Sequence, residues 1–189
     1  VLDGYIAQKR IKEDPRLRII SYKENHGMRA AINAGAAAAK GEYIMKTDEH
    51  CAFDRGFDVA LLSQIEDDWI VTPRRFKLDT DKWRVIDEPP IDYERLVTDR
   101  PDKIGGVHWT RRAVERADIL IDETMVFQGS CYLMSRKHWD FLGGLQLQGY
   151  GGFAQEAIEV SLKTWLSGGK VMVNKTTWYA HKHRKFGRP

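Results

Sequence analysis

The stretch Gly41-Glu42-Tyr43-Ile44-Met45-Lys46-Thr47-Asp48-Glu49-His50-Cys51 decides how this chain is read. Residues 42–47 lean to β structure, and the Ala-rich segment before them ends at Lys40-Gly41, where glycine supplies a helix C-cap. The order is helix, strand, then an Asp-x-His triplet. In an extended chain, side chains two apart share one side, so Asp48 and His50 could reach one metal ion while Glu49 turns away. A carboxylate with an imidazole suits Mn²⁺ and admits Zn²⁺ or Fe²⁺. Alone the triplet is a weak signal, since a strand-end Asp commonly satisfies turn amides instead.

Upstream, Val1-Leu2-Asp3-Gly4 reads as a strand end and a turn, with Asp3 where an α/β sheet usually meets its ligand. A short helix is expected over residues 8–14, stopped before Pro15, and a second strand over residues 17–22. Asn25-His26-Gly27 breaks the chain ahead of a helix over residues 28–39, whose small residues would let it lie close to the sheet. This alternation predicts an α/β fold with a mainly parallel, Rossmann-like sheet flanked by helices.

Downstream, a helix is expected over residues 58–65 and a buried strand over residues 69–72, stopped at Pro73. Residues 74–100 are polar, without a sustained period, and read as a functional flap or an excursion carrying short strands. Trp83, Tyr93, His108 and Trp109 could stack on a sugar ring, or could equally be core. A strand is expected over residues 125–134, with Gly129 inside it marking close approach of a ligand. Ser135 caps a helix ended by Gly143-Gly144. A Gly- and Gln-rich loop over residues 145–152 leads to a helix over residues 154–167, with Ile158, Leu162, Trp165 and Leu166 as its apolar face and Glu156 and Glu159 on the other. After Gly168-Gly169 come a strand over residues 170–174 and a basic tail with Trp178-Tyr179-Ala180-His181-Lys182-His183-Arg184.

Composition sets the outer bounds. A chain of 189 residues, 42% hydrophobic and 30% charged, suits one well-buried domain. No apolar run is long enough to span a membrane, and the net charge of +3 favours an anionic ligand without arguing for nucleic acid. Two cysteines give no disulfide framework, so a reducing, cytoplasmic location is the default expectation.

Taken together, Asn25-x-Gly27, Ala31, Asn33-x-Gly35, Gly41-Glu42-Tyr43-Ile44 and Asp48-Glu49-His50-Cys51 resemble glycosyltransferase family 2, which has the GT-A fold. The Asp-x-His-Cys form is closer to the polypeptide N-acetylgalactosaminyltransferases. Gly129, Gly143-Gly144, Glu156-Ala157-Ile158-Glu159-Val160-Ser161, Trp165 and Gly168-Gly169 resemble the acceptor-side segment of that group. The resemblance implies a single GT-A domain over residues 1–189, with residues 1–73 as the nucleotide-binding half and residues 74–189 as the acceptor-side half and metal-binding tail. The family's first strand has no counterpart before Val1.

The resemblance further implies a metal-dependent transfer of sugar from a nucleotide diphosphate sugar, a UDP-sugar in the first instance, to an unspecified acceptor. Its metal, Mn²⁺ or another divalent ion, would be held by Asp48, His50 and His181, with His183 the rival third ligand. Substrate would be held by Asp3, Asn25, Gly27, Arg29, Thr47, Gly129 and Arg184. Glu156 and Glu159 are the candidate catalytic carboxylates. Where inverting relatives carry their base this chain has Ala157, and retaining relatives have Asn there. A nucleotidyltransferase of similar fold is the alternative, which the late His181 argues against. A non-catalytic nucleotide- or carbohydrate-binding domain is a third reading.

Overall fold

The computed structural model describes residues 14–100, 103–150 and 155–182, without side chains at 99, 100 and 103. Asp3, Arg184, His183 and the expected elements before residue 14 lie outside these. The first described helix, α1, is Gly27–Ala38, and it feeds strand β1, Tyr43–Thr47. The remaining strands are β2 Cys51–Phe53, β3 Trp69–Asp79, β4 Arg84–Val85, β5 Glu94–Arg100, β6 Lys103–His108, β7 Ile121–Glu123, β8 Cys131–Ser135 and β9 Lys170–His181. Between them lie α2 Phe57–Leu62, α3 Thr110–Glu115, α4 Arg136–Phe141 and α5 Glu156–Leu166. The main sheet has seven strands in the order β1-β8-β3-β9-β2, with β4 on β3 and β7 on β9, while β5 and β6 form a separate hairpin.

The α/β class holds. The sheet is mixed, because β8 enters between β1 and β3 antiparallel to both, while the long β3·β9 ladder is parallel. One core cluster lies under α1, α4 and α5 and includes Ile44, Ile70, Tyr132, Trp139 and Val171. A second, around Leu61, Val71, Leu133 and Met172, lies under α2. Helices thus cover both faces of the β8·β3·β9 centre.

Several boundaries differ from the sequence reading. Residues 17–22 form no strand, since no described segment pairs with them, and Leu17, Ile19, Ile20 and Tyr22 are exposed. Pro73 does not stop β3. The ladder to β9 shifts register between Pro73 and Arg74, and a bulge is where a strand tolerates a residue with no N–H. The polar run after it supplies the second half of β3, β4 and the β5·β6 hairpin, so it is an excursion with short strands. Gly129 and Ser130 form a turn before β8, which begins only at Cys131 opposite Thr47. Ser135 does cap α4, its Oγ accepting from the His138 N–H at 3.0 Å.

The apolar face of α5 is also revised. Leu166 is 87% exposed, whereas Glu156, Ala157, Glu159, Val160, Ser161 and Thr164 are buried. The inward face is therefore half polar, and its ion pairs are described below. The close packing expected of the small residues of α1 fails at Gly35, where an added β-carbon would meet nothing within 4 Å.

The excursion is anchored at its base by Asp122 on β7. Its buried carboxylate accepts from Tyr93 Oη at 3.0 Å and from Arg116 Nε and Nη2 at 2.9 and 2.8 Å. Tyr93 is therefore core rather than a sugar platform. The Arg116 guanidinium beside Asp122 holds its carboxyl at about 2, against burial, which would raise it. Because the folded value lies below the ordinary one, this stabilisation is complete above pH ~4 and is lost as pH falls through ~2. Asp122→Asn is expected to remove that dependence. Denaturant midpoints near pH ~5 and ~2 should fall more with acid in the parent than in the variant.

Candidate active site

Two accidents of topology bring the metal candidates together. Asp48, Glu49 and His50 form the turn joining β1 to β2, so the two candidate ligands meet through a turn rather than along an extended strand. β2 then pairs with β9 so that Cys51 lies opposite His181, at the last position of that strand. The Asp48 N–H donates to the Ser130 carbonyl at 2.9 Å and the Lys182 N–H to the His50 carbonyl at 3.3 Å, which fixes the turn to both neighbours.

Asp48 divides its two oxygens. Oδ1 accepts from Lys46 Nζ, which also donates to the Gly129 carbonyl. Oδ2 faces both imidazoles, with His181 Nε2 at 3.3 Å and His50 Nε2 at 3.9 Å. The far nitrogen of His50, Nδ1, lies 3.1 Å from Glu49 Oε1, so Glu49 turns away as expected and orients the ring from behind. One donor atom from each of Asp48, His50 and His181 lies within 4.8 Å of the others. Donors sharing a first-row ion through bonds of about 2.1 Å sit about 3.0–3.5 Å apart, so closing the group by about an ångström would suffice.

The protonation states suit such a site. Burial works against ionisation of Asp48, yet the bonds from His181 and Lys46 prevail and hold its carboxyl at about 2. Burial pushes His181 below the ordinary histidine value, assisted by His50 and Arg75, despite Asp48. At neutral pH the set is thus one carboxylate and a neutral imidazole at His181, and neither has to shed a proton to bind a cation. The neighbouring Cys51 and Cys131 are free thiols pushed up by burial, which makes them packing residues rather than ligands.

Glu156 opens α5 and is 9% exposed. A β-carbon on Gly129 would overlap its Oε1, so the bare backbone of Gly129 is what lets the carboxylate lie there. Glu156, Gly129, Lys46 and Asp48 therefore form one contiguous line from the head of α5 to the turn after β1. Lys46 was not among the sequence-predicted site residues. Only its position two before Asp48, on the same side of β1, could have suggested it.

Glu159 is placed differently. Its buried carboxylate pairs with Arg29 on α1 and with Lys163 Nζ at 2.8 Å, and its Oε1 accepts from the Gln146 N–H at 2.9 Å. Arg29 is 3% exposed, donates from Nε to the Gln146 carbonyl at 2.7 Å and lies 3.9 Å beneath the Tyr150 ring. Asn33 holds both backbone groups of Leu145, donating at 2.8 Å and accepting at 2.9 Å. The loop before α5 is thus tied to α1 and α5 as far as Tyr150. Glu159→Gln should cost about 2 kcal/mol in denaturant unfolding: the amide keeps the acceptor but leaves a buried guanidinium without its counter-charge.

The other candidates stand further out. Asn25 Oδ1 accepts from the Gly27 N–H at 2.8 Å, and Gly27 takes φ +82°, so the two build the turn that opens α1. Thr47 is exposed at the end of β1, next to Asp48. Ala157 lies in the core with Ile44 and Val160 and offers no acid–base group. Trp109 lies under Arg112, whose guanidinium carbon is 5.2 Å from its ring, and His108 Nε2 is 3.2 Å from Arg75 Nη2.

The Glycosyl transferase family 2 profile matches residues 4–140. The chain belongs to glycosyltransferase family 2. Within the family it is similar to polypeptide N-acetylgalactosaminyltransferase 12 of Mus musculus, at 24% identity over 96% of this chain and 33% of that protein. It is also similar to the putative polypeptide N-acetylgalactosaminyltransferase 13 of Drosophila melanogaster, at 27% identity over 89% of this chain and 30% of that protein. This family 2 chain spans about a third of the length of the curated relatives it matches. Among solved structures it resembles GalNAc-T7, crystallised with UDP, GalNAc and Mn²⁺, with a TM-score of 0.75 and 19% identity over the whole of this chain and 36% of that one. That likeness establishes the fold. No helix among the described residues of this family 2 chain is long and apolar enough to cross a membrane.

Proposed function

We propose that this chain carries the donor-binding part of a metal-dependent glycosyltransferase, which moves a sugar from a UDP-sugar to a hydroxyl-bearing acceptor with Mn²⁺ as its ion. The observation that carries this reading is the convergence of Asp48 Oδ2, His50 Nε2 and His181 Nε2 on one point at the edge of the sheet. Family membership supports the transfer, and the UDP, GalNAc and Mn²⁺ held by GalNAc-T7 support the choice of donor and ion.

Asp48, His50 and His181 would hold the ion. When bound, it supplies Lewis-acid stabilisation of the charge that grows on the diphosphate as the glycosidic bond breaks. Lys46 neutralises the outer oxygen of Asp48, which directs the other oxygen toward the imidazoles. Glu49 fixes the ring of His50. Arg184 is proposed to add fixed positive charge beside the diphosphate, and Asp3, Asn25, Gly27 and Thr47 to hold the nucleoside. Arg29 is better explained as the buried partner of Glu159 than as a nucleoside contact.

Glu156 is proposed to contact the sugar or the acceptor hydroxyl, because it is the one α5 carboxylate beside the Gly129–Lys46–Asp48 line. Glu159 is already committed to Arg29, Lys163 and Gln146, and its role is to position the loop before α5. Calorimetric titration of UDP with and without Mn²⁺, followed by assay of UDP-sugar hydrolysis, tests the reading. Mn²⁺-dependent binding with slow hydrolysis is expected. Binding with no hydrolysis of any UDP-sugar would reduce the chain to a binding domain.

A further inference from the structure

The sequence holds six tryptophans, and among the described residues five have a structural partner. Trp69 lies under Lys170, Trp109 under Arg112, and Trp178 meets Phe76 edge to face. Trp139 is in the core, and Trp165 donates its indole N–H to the Met125 carbonyl at 2.9 Å. Trp83 has no such contact and is 57% exposed.

Its backbone is unusual as well. Trp83 ends the turn between β3 and β4 with φ +47°, a left-handed conformation that a bulky residue adopts only at a cost and that glycine adopts freely. The turn itself is built by Asp79, whose Oδ1 accepts from the Asp81 and Lys82 N–H groups at 3.0 and 3.2 Å. Nothing in this hairpin uses the indole, so stability does not explain why tryptophan stands where glycine would relax the chain.

The position of the hairpin relative to the metal candidates is fixed by register. Lys77 of β3 lies beside His181 of β9, and β3 runs only two residues further, to Asp79, before turning. At about 3.3 Å per residue the turn stands about 7–10 Å beyond the His181 row, at the carboxyl end of the parallel pair. That is the end of an α/β sheet at which ligands bind. The residues around Trp83 in the hairpin carry charges of both signs, Asp79 and Asp81 with Lys82 and Arg84. An aromatic face with mixed polar neighbours suits the apolar C–H face and the hydroxyl edge of a neutral sugar ring, and does not suit an anionic lipid surface.

We infer that Trp83 is the platform of an acceptor subsite that takes a pyranose ring, so that the acceptor of the transfer is itself a glycoside. The inference rests on the transferase reading, since only a transfer requires an acceptor. Its test uses the indole N–H resonances of ¹⁵N-labelled protein, with the Trp83 signal assigned by its loss in Trp83→Gly. Methyl glucoside, methyl galactoside and methyl N-acetylgalactosaminide are the probes, with UDP–Mg²⁺ titrated separately.

A saturable shift of the Trp83 signal by at least one glycoside is expected, with a dissociation constant on the order of millimolar. Trp83→Gly should lose that binding, keep its UDP–Mg²⁺ response, and melt no lower than the parent. No shift with any glycoside up to about 50 mM overturns the subsite, as does a Trp83 response confined to anionic phosphatidylserine vesicles. Melting of Trp83→Gly well below the parent would make Trp83 structural and overturn it too. Absence of UDP binding by the parent in calorimetry with Mn²⁺ would instead overturn the transferase reading, and is scored by a separate measurement.

Discussion

Replacing Asp48 with Ala is expected to abolish the Mn²⁺-dependent part of UDP binding, a loss of more than about a hundredfold in Mn²⁺ affinity, while the protein stays folded. Two effects add. The variant loses the one anionic donor of the set, and the ammonium of Lys46, bonded to Asp48 in the parent, keeps only the neutral Gly129 carbonyl as its partner near the site. A cation entering that space meets net repulsion. The fold should survive, because the turn is held by backbone bonds, but the melting temperature should drop modestly, since a carboxylate held at about 2 by His181 and Lys46 contributes stability at neutral pH.

His50→Ala and His181→Ala should weaken metal and diphosphate binding together. His181→Ala should also lower stability, because its side chain is only 5% exposed, against 22% for His50. Calorimetry with and without Mn²⁺, together with thermal melts, separates the two effects. Parent-like Mn²⁺ and UDP binding by the Asp48 variant would dismantle the site.

The second large effect is expected at Glu156. If its carboxylate accepts a proton or orients the acceptor hydroxyl, Glu156→Gln should leave UDP affinity nearly intact and lower transfer or hydrolysis by about a hundredfold or more. As a carboxylate favoured by the helix dipole alone, the same change would cost a few tenths of a kcal/mol, up to about one, and leave turnover unaltered. Ala157 cannot replace it, being an aliphatic core residue. Glu159→Gln gives the opposite signature, reduced stability with a smaller effect on turnover, because its carboxylate serves Arg29 and Lys163. Turnover of Glu156→Gln within about threefold of the parent would remove Glu156 from the chemistry.

Much of this was legible in the sequence because it is local. The Ala-rich helix and the run after it placed α1, β1 and the Asp48–His50 pair, although the helix stops at Ala38 with Ala39 turning to extended backbone, so Gly41 is not its cap, and the pair meets through a turn and not by strand alternation. His181 is not local: it came only from the family resemblance, and the structure brings it to Asp48.

What stayed hidden depends on partners distant in the chain. Helical periodicity assigned Glu159 to a solvent face, because the guanidinium that makes its burial tolerable comes from Arg29 on α1. Pro73 reads as a stop, and only the register shift in the ladder to β9 lets β3 continue past it. The polar run after it gave no period because its strands turn back on one another in short hairpins. Gly129 looked like a strand residue making room for a ligand, and the group that fills the room is Glu156.

The most direct test is a crystal soaked with UDP and Mn²⁺, with diffraction recorded at an energy where manganese scatters anomalously. The account predicts a single strong anomalous peak about 2.2 Å from Asp48 Oδ2, His50 Nε2 and His181 Nε2, with UDP phosphate oxygens on its open side. A peak held by other carboxylates, or UDP bound with no manganese beside Asp48, would contradict it.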